Sequence, residues 1–189
     1  MADGSPGTAL LVLDIIPAVV PAFGGDDDLL ARLDHAITAA RAADVPVVYV
    51  RVAFRAGHPD VSASNALFAP LVEMMDFTET IPETAIHPAV APQDGDIVVL
   101  KRRISSFSGS DLDVVLRSLR VNRIVLAGVA TSGVVLSTVR QAADLDFEIV
   151  VLSDGCADGD AEVHRVLTEK VFPTQATVTT VDEWVRDLK

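Results

Sequence analysis

The chain has 189 residues, 50% of them hydrophobic and 22% charged, and its 15 Lys and Arg face 27 Asp and Glu for a formal net charge of -12. That balance suits one domain, 1-189, with a substantial core and excludes a disordered chain, while the negative field argues against nucleic-acid binding. The single cysteine, Cys156, leaves no internal disulfide and no multi-Cys zinc site, and a reduced cytoplasmic setting fits it.

Taken in chain order, Met1 to Gly7 has no Lys or Arg and so lacks the basic start of a signal peptide. Thr8 to Asp14 is a continuous apolar run ending in one carboxylate, which suits a strand buried on both faces. The apolar stretch to Phe23 contains Asp14, Pro17 and Pro21 and is too short and too broken to span a bilayer. Asp26, Asp27 and Asp28 can cap a helix on which Leu30, Leu33, Ile37 and Ala40 recur at helical spacing. Val45 to Val50 reads as a second buried strand.

Ala53 to Gly95 differs. It holds five prolines and little periodicity, with one short helix near Ala66 to Met75. A long irregular excursion of this kind is a lid, an interface or a solvated insertion. Strands resume at Asp96 to Leu100, Asn122 to Ala127, Phe147 to Leu152 and Ala176 to Thr180. Helices fall between them: one capped by Ser108 or Ser110 and running to Leu119, then Ser132 to Ala143, Asp160 to Val171, and Asp182 to Leu188. This β-α alternation predicts an α/β fold, a mostly parallel sheet of about six strands with helices on both faces.

In such sheets chemistry gathers outside the carboxyl ends of the strands. Asp14 ends an apolar strand, where desolvation raises a carboxyl pKa and suits a general acid or base; the alternative is a carboxylate that caps a turn. Lys101 ends another apolar strand, followed by Arg102 and Arg103, and the three can hold an anion or form a wet basic edge. Gly128 to Gly133 joins strand to helix, so its N–H groups can face an anion or oxyanion, while Thr131 or Ser132 can cap the helix. The segment is neither a G-x-G-x-x-G nor a G-x-S-x-G sequence. Cys156 is either a nucleophile on the active edge or a small buried hydrophobe. His35, His58, His87 and His164 form no metal-ligand spacing, so neither metal nor cofactor is expected.

Four segments carry a family resemblance: Leu10 to Asp14, Lys101 with Phe107 to Leu112, Gly128 to Thr131 with Thr138, and Val150 to Asp154. In this order and spacing the chain resembles the isochorismatase-like (cysteine) hydrolase superfamily over nearly its whole length. The resemblance implies a three-layer α/β/α sandwich, Rossmann-like, acting on a small molecule as a homodimer or higher homo-oligomer. It implies Asp14 and Lys101 as two members of an Asp-Lys-Cys catalytic set. The Cys position corresponds to Val134, and a valine has no lone pair with which to attack a carbonyl. Ile16 stands where the family often has Gln, and Arg51 to Phe54 lacks the metal ligands of nicotinamidases.

Some members cleave a vinyl ether without the cysteine, and that precedent implies Asp14 as a general acid on an isochorismate-like substrate. Lys101, with help from Arg102 or Arg103, would then hold a substrate carboxylate, Phe107 would wall the pocket, and the turn Ala130, Thr131, Ser132, Gly133 and Val134 would line it, a cis peptide before Ala130 aiming the Ala130 and Val134 N–H groups into the site. A C–N hydrolase using Cys156, and an inactive member that binds a ligand or partner, are the alternatives.

Overall fold

The apolar runs build a sheet because its inner strands are hydrophobic on both faces and each of those faces meets helices. The computed structural model describes residues 7–188; the stretch before Gly7, where no signal peptide is expected, lies outside the described residues. The strands are β1 (Gly7–Leu13), β2 (Val47–Val52), β3 (Ile97–Lys101), β4 (Val121–Val129), β5 (Glu148–Ala157) and β6 (Thr177–Thr179). They lie in the order β3-β2-β1-β4-β5-β6, and every neighbouring pair is parallel. Side chains alternate across each strand. Ala9, Leu11 and Leu13 of β1 enter one core, and Leu10 and Val12 enter the other.

The first core is covered by α3 (Leu112–Ser118) and α4 (Leu136–Asp144), with Leu167 and Phe172 from the segment after α5 (Ala161–Val166). The second is covered by α1 (Asp27–Ala42) and α6 (Val181–Asp187), through Leu29, Leu33, Ile37, Val181 and Trp184. Helix starts follow local chemistry: Asp26 accepts from Leu29 N–H at 2.8 Å, and Thr180 and Glu183 form a capping box at α6. The serine cap expected before α3 is not formed: Asp111 stands at the cap position with no side-chain cap, and the Ser110 hydroxyl only accepts from Leu112 N–H at 3.3 Å. Strand β5 runs five residues past the apolar run ending at Leu152, because Ser153 to Ala157 continue beside β4 with a register shift between Leu126 and Gly128.

The excursion is folded rather than solvated. Its helix α2 is Phe68–Met74, and Phe54, Phe68 and Phe77 form a small core with Ile16 and Val52, the residues just beyond or at the carboxyl ends of β1 and β2. The Phe54 and Phe68 rings meet edge to face at 5.2 Å. Main-chain bonds from Ala18 N–H to the Glu83 carbonyl and from His87 N–H to the Ile15 carbonyl, each 2.9 Å or less, fasten it over the end of β1. Residues 53–95 therefore roof the carboxyl ends of β1 and β2. Among the described residues no helix is long and apolar enough to cross a membrane.

Candidate active site

Strand order reverses between β1 and β4, which is where a parallel sheet of this type opens a crevice at its carboxyl edge. Asp14 follows β1 directly. Its φ of 51° turns the chain out of the strand, with Asp14 N–H on the Val50 carbonyl at 2.8 Å and Ile16 N–H on the Asp14 carbonyl at 2.9 Å. Aspartate is among the few non-glycine residues that tolerate this region. The carboxylate is thereby aimed across β2. Its Oδ1 accepts from Val52 N–H at 2.8 Å, and its Oδ2 meets Lys101 Nζ, from the end of β3, at 2.8 Å.

The pair is almost fully buried, Asp14 at 5% and Lys101 at 1% exposure. Lys101 Nζ also donates to the Arg103 carbonyl at 3.0 Å. Burial pushes the Asp14 carboxyl above the ordinary range of aspartate, and the Lys101 ammonium and the two hydrogen bonds to the carboxylate oppose that rise only in part. Asp14 is a partner to Lys101 and Val52 and not the cap of its own turn. A carboxyl with a raised pKa beside a fixed ammonium can deliver a proton and stabilise the negative charge that remains.

The two arginines are not arranged as the sequence suggests. Arg102 donates to the Ala53 carbonyl at 2.5 Å and to Glu79 Oε2 at 2.5 Å, with Asp60 at 3.6 Å. Arg103 is exposed and donates to the Asp60 carbonyl at 3.0 Å. Both are spent tying the excursion to the end of β3, and Arg51 ties it to β2 through the Thr84 and Glu79 carbonyls at 2.9 and 3.2 Å. Arg102 also lines a groove of about 520 Å³ with Arg55, Val98 and Ser110, which neither Asp14 nor Lys101 lines. Phe107 is likewise displaced from its expected role: its ring packs in the first core with Phe147, centroids 5.7 Å apart, because the loop after β3 lies along α4.

Gly128 brings β4 close to β1. It is paired with Leu13, has φ +148°, and a Cβ there would sit 2.1 Å from the Leu13 carbonyl oxygen. The Val129–Ala130 peptide is cis, and residues 131–135 form a wide helical turn that leads into α4. Ala130 stands at the cap position and no side chain caps it, so the capping expected of Thr131 or Ser132 is absent. Thr131 instead turns its buried hydroxyl to the Ala157 carbonyl at 3.0 Å and to His164 Nδ1 at 2.8 Å. Ser132 N–H, expected to face a substrate anion, is taken by Asp158 Oδ2 at 2.7 Å. Gly133 N–H bonds the Ala130 carbonyl at 3.1 Å, and Val134 is buried in the first core at 3% exposure.

Cys156 is paired in register with Gly128 and buried among the same core residues. Burial pushes its thiol up to about 12, leaving almost no thiolate near neutrality. Among the described residues no three His, Cys, Asp or Glu side chains come together as metal ligands would. Sequence reasoning gave no contact to His164, to Asp158 or to the Ser106–Thr138 hydroxyl pair, 2.9 Å apart, which locks the loop after β3 onto α4. Each acts across 26 or more residues, and no local pattern announces such contacts.

A family model for the isochorismatase domain matches residues 8–183. The chain belongs to the isochorismatase family. The isochorismatase family protein YecD of Escherichia coli O157:H7 is 34% identical over 181 residues, 93% of each chain. The ureidoacrylate amidohydrolase RutB of Pseudomonas syringae pv. syringae is 35% identical over 173 residues, 79% of this chain and 70% of that one. Among solved structures, a cysteine hydrolase from Pseudomonas syringae pv. phaseolicola 1448A superposes with a TM-score of 0.86 at 27% identity, over 96% of this chain and 92% of that one. N-carbamoylsarcosine amidase from Thermoplasma acidophilum shares the fold, with a TM-score of 0.76 at 22% identity over 93% of this chain and 97% of that one. Hydrolysis is the reaction class that the isochorismatase family assigns to this chain.

Proposed function

We propose that the chain is a hydrolase of a small anionic molecule that works without a covalent cysteine, with vinyl-ether cleavage of the isochorismate type as its chemistry. The buried Asp14–Lys101 pair, with the Asp14 carboxyl raised by desolvation, carries this reading. Protonated Asp14 gives its proton to the methylene carbon of the enolpyruvyl group. The C=C electron pair forms the new C–H bond, and the ether carbon becomes an oxocarbenium ion. Water adds to that carbon and its proton returns to Asp14. The hemiketal then collapses: its hydroxyl becomes the ketone of pyruvate, its C–O bond to the ether oxygen breaks, and the hydroxyl proton passes to that oxygen to give the alcohol.

An ammonium has three donors. Lys101 uses two, on Asp14 and the Arg103 carbonyl, which leaves one for a substrate carboxylate. Because Arg102 and Arg103 are engaged elsewhere, this reading places the anion on Lys101 alone. Val134 supports it, since that side chain offers no nucleophile. Family resemblance supports a cytoplasmic homo-oligomer.

That same burial favours one other reading, a member that keeps the pair for stability and binds a ligand or partner without turnover. A C–N hydrolase using Cys156 draws support from the amidohydrolase relatives, but the thiol pushed up to about 12 opposes it. Pyruvate release from isochorismate tests the first reading against the other two, neither of which predicts it. Turnover lost in Asp14→Asn and kept in Cys156→Ala supports the acid mechanism. Turnover lost in Cys156→Ala contradicts it, and a silent wild type removes isochorismate as substrate.

A further inference from the structure

Thr131 opens the turn between β4 and α4 and is fully buried. Its hydroxyl has one proton to give. The Ala157 carbonyl oxygen, 3.0 Å away, can only accept, so the proton lies there. The hydroxyl oxygen is also 2.8 Å from His164 Nδ1. With its own proton committed, that oxygen accepts, and Nδ1 must carry the hydrogen. The His164 ring is thereby held as the Nδ1–H tautomer, opposite to the Nε2–H form that a free histidine side chain favours in water.

A second restraint acts one residue along, where Asp158 Oδ2 holds Ser132 N–H at 2.7 Å. The end of β5 and helix α5 thus grip the first two residues of the turn. That turn begins three residues after Gly128, which is registered against Leu13, the neighbour of Asp14.

We propose that His164 is a positioning residue for the reaction, holding the β4–α4 turn beside Asp14 through the Thr131 hydroxyl. The catalytic part of this assignment rests on the acid-catalysed reading above. The restraint itself does not, so it is tested without substrate.

Long-range ¹H–¹⁵N correlation on histidine-labelled wild type reports the tautomer, with the His164→Asn spectrum assigning the signal by its loss. A proton on Nδ1 is expected; a proton on Nε2 overturns the proposal. Amide exchange then compares His164→Leu, which removes the donor, with His164→Asn, whose amide N–H can replace Nδ1–H. Exchange at residues 131–134 should rise about tenfold in His164→Leu and stay near wild type in His164→Asn. Unchanged exchange in His164→Leu, or an equal rise in both variants, overturns the restraint.

With isochorismate, His164→Leu should lower kcat by up to about a hundredfold with KM little changed, and His164→Asn should recover most of it. A full kcat in His164→Leu overturns the positioning role. A wild type that turns over no isochorismate removes that substrate and leaves the restraint standing or falling on the tautomer and exchange results.

Discussion

Lys101→Met removes the charge that faces Asp14 and keeps most of the side chain's volume. At 2.8 Å the pair attracts with about 6 kcal/mol at an effective dielectric constant near 20. The folded protein does not lose all of that, because the stranded carboxylate takes up a proton instead. Holding an aspartate neutral at pH 7, against an unfolded value of about 3.9, limits this loss to about 4 kcal/mol. Loss of the bond to the Arg103 carbonyl adds about 1 kcal/mol. The expected destabilisation at pH 7 is therefore about 3–5 kcal/mol, in line with stranding one member of a buried ion pair.

The sign with pH is fixed by linkage. A carboxyl whose folded pKa lies above its unfolded value binds more protons in the native state, so stability falls as pH rises through the interval between them. The gap between wild type and Lys101→Met should accordingly shrink toward about 1 kcal/mol near pH 4. Asp14→Asn together with Lys101→Met should cost less at pH 7 than Lys101→Met alone, because no charge is stranded. Urea unfolding of the four proteins between pH 4 and pH 8 measures this. A Lys101→Met loss that does not vary with pH, or simple additivity in the double variant, would refute the coupling on which the site depends.

Four further outcomes follow from the same geometry. The rate of pyruvate release should rise as pH falls toward the raised Asp14 pKa and flatten below it, and a profile that climbs with pH would contradict Asp14 as the acid. Cys156→Ala should keep turnover and cost about 1–2 kcal/mol, and the native thiol, with only about one part in ten thousand ionised at pH 8, should react with a disulfide reagent only after unfolding. Gly128→Ala should lose more than about 3 kcal/mol or fail to fold, since its Cβ would meet the Leu13 carbonyl oxygen at 2.1 Å; a melting temperature near wild type refutes that close approach. Arg102→Met should release the excursion from β3, and faster limited proteolysis within residues 53–95 checks it.

The sheet was legible in the sequence because five strands fall on short apolar runs bounded by turn residues and the sixth, Thr177–Thr179, on a β-branched run. The edge chemistry was legible for a related reason. Asp14 and Lys101 are charges at the ends of apolar runs, and a parallel sheet brings such ends together. Arg102 and Arg103 misled because a basic run carries no sign of its partner, and Glu79, Asp60 and the Ala53 carbonyl sit in the least periodic part of the chain. Phe107 misled because proximity to Lys101 in sequence does not fix which way the following loop travels. The clamp of Thr131 by His164 and Asp158 was hidden by distance along the chain. Its only local trace is the Asp160 cap, which accepts from Glu162 and Val163 N–H and starts the helix that carries His164.

The central claim is that Asp14 protonates carbon and that no thiol bonds to substrate. Turnover of isochorismate in D₂O, with the pyruvate reduced at once to lactate and weighed by mass spectrometry, tests it most directly. The acid mechanism predicts one deuterium in the methyl group of each product molecule, and no product with Asp14→Asn. Pyruvate that carries no deuterium, or undiminished turnover by Asp14→Asn, would contradict it.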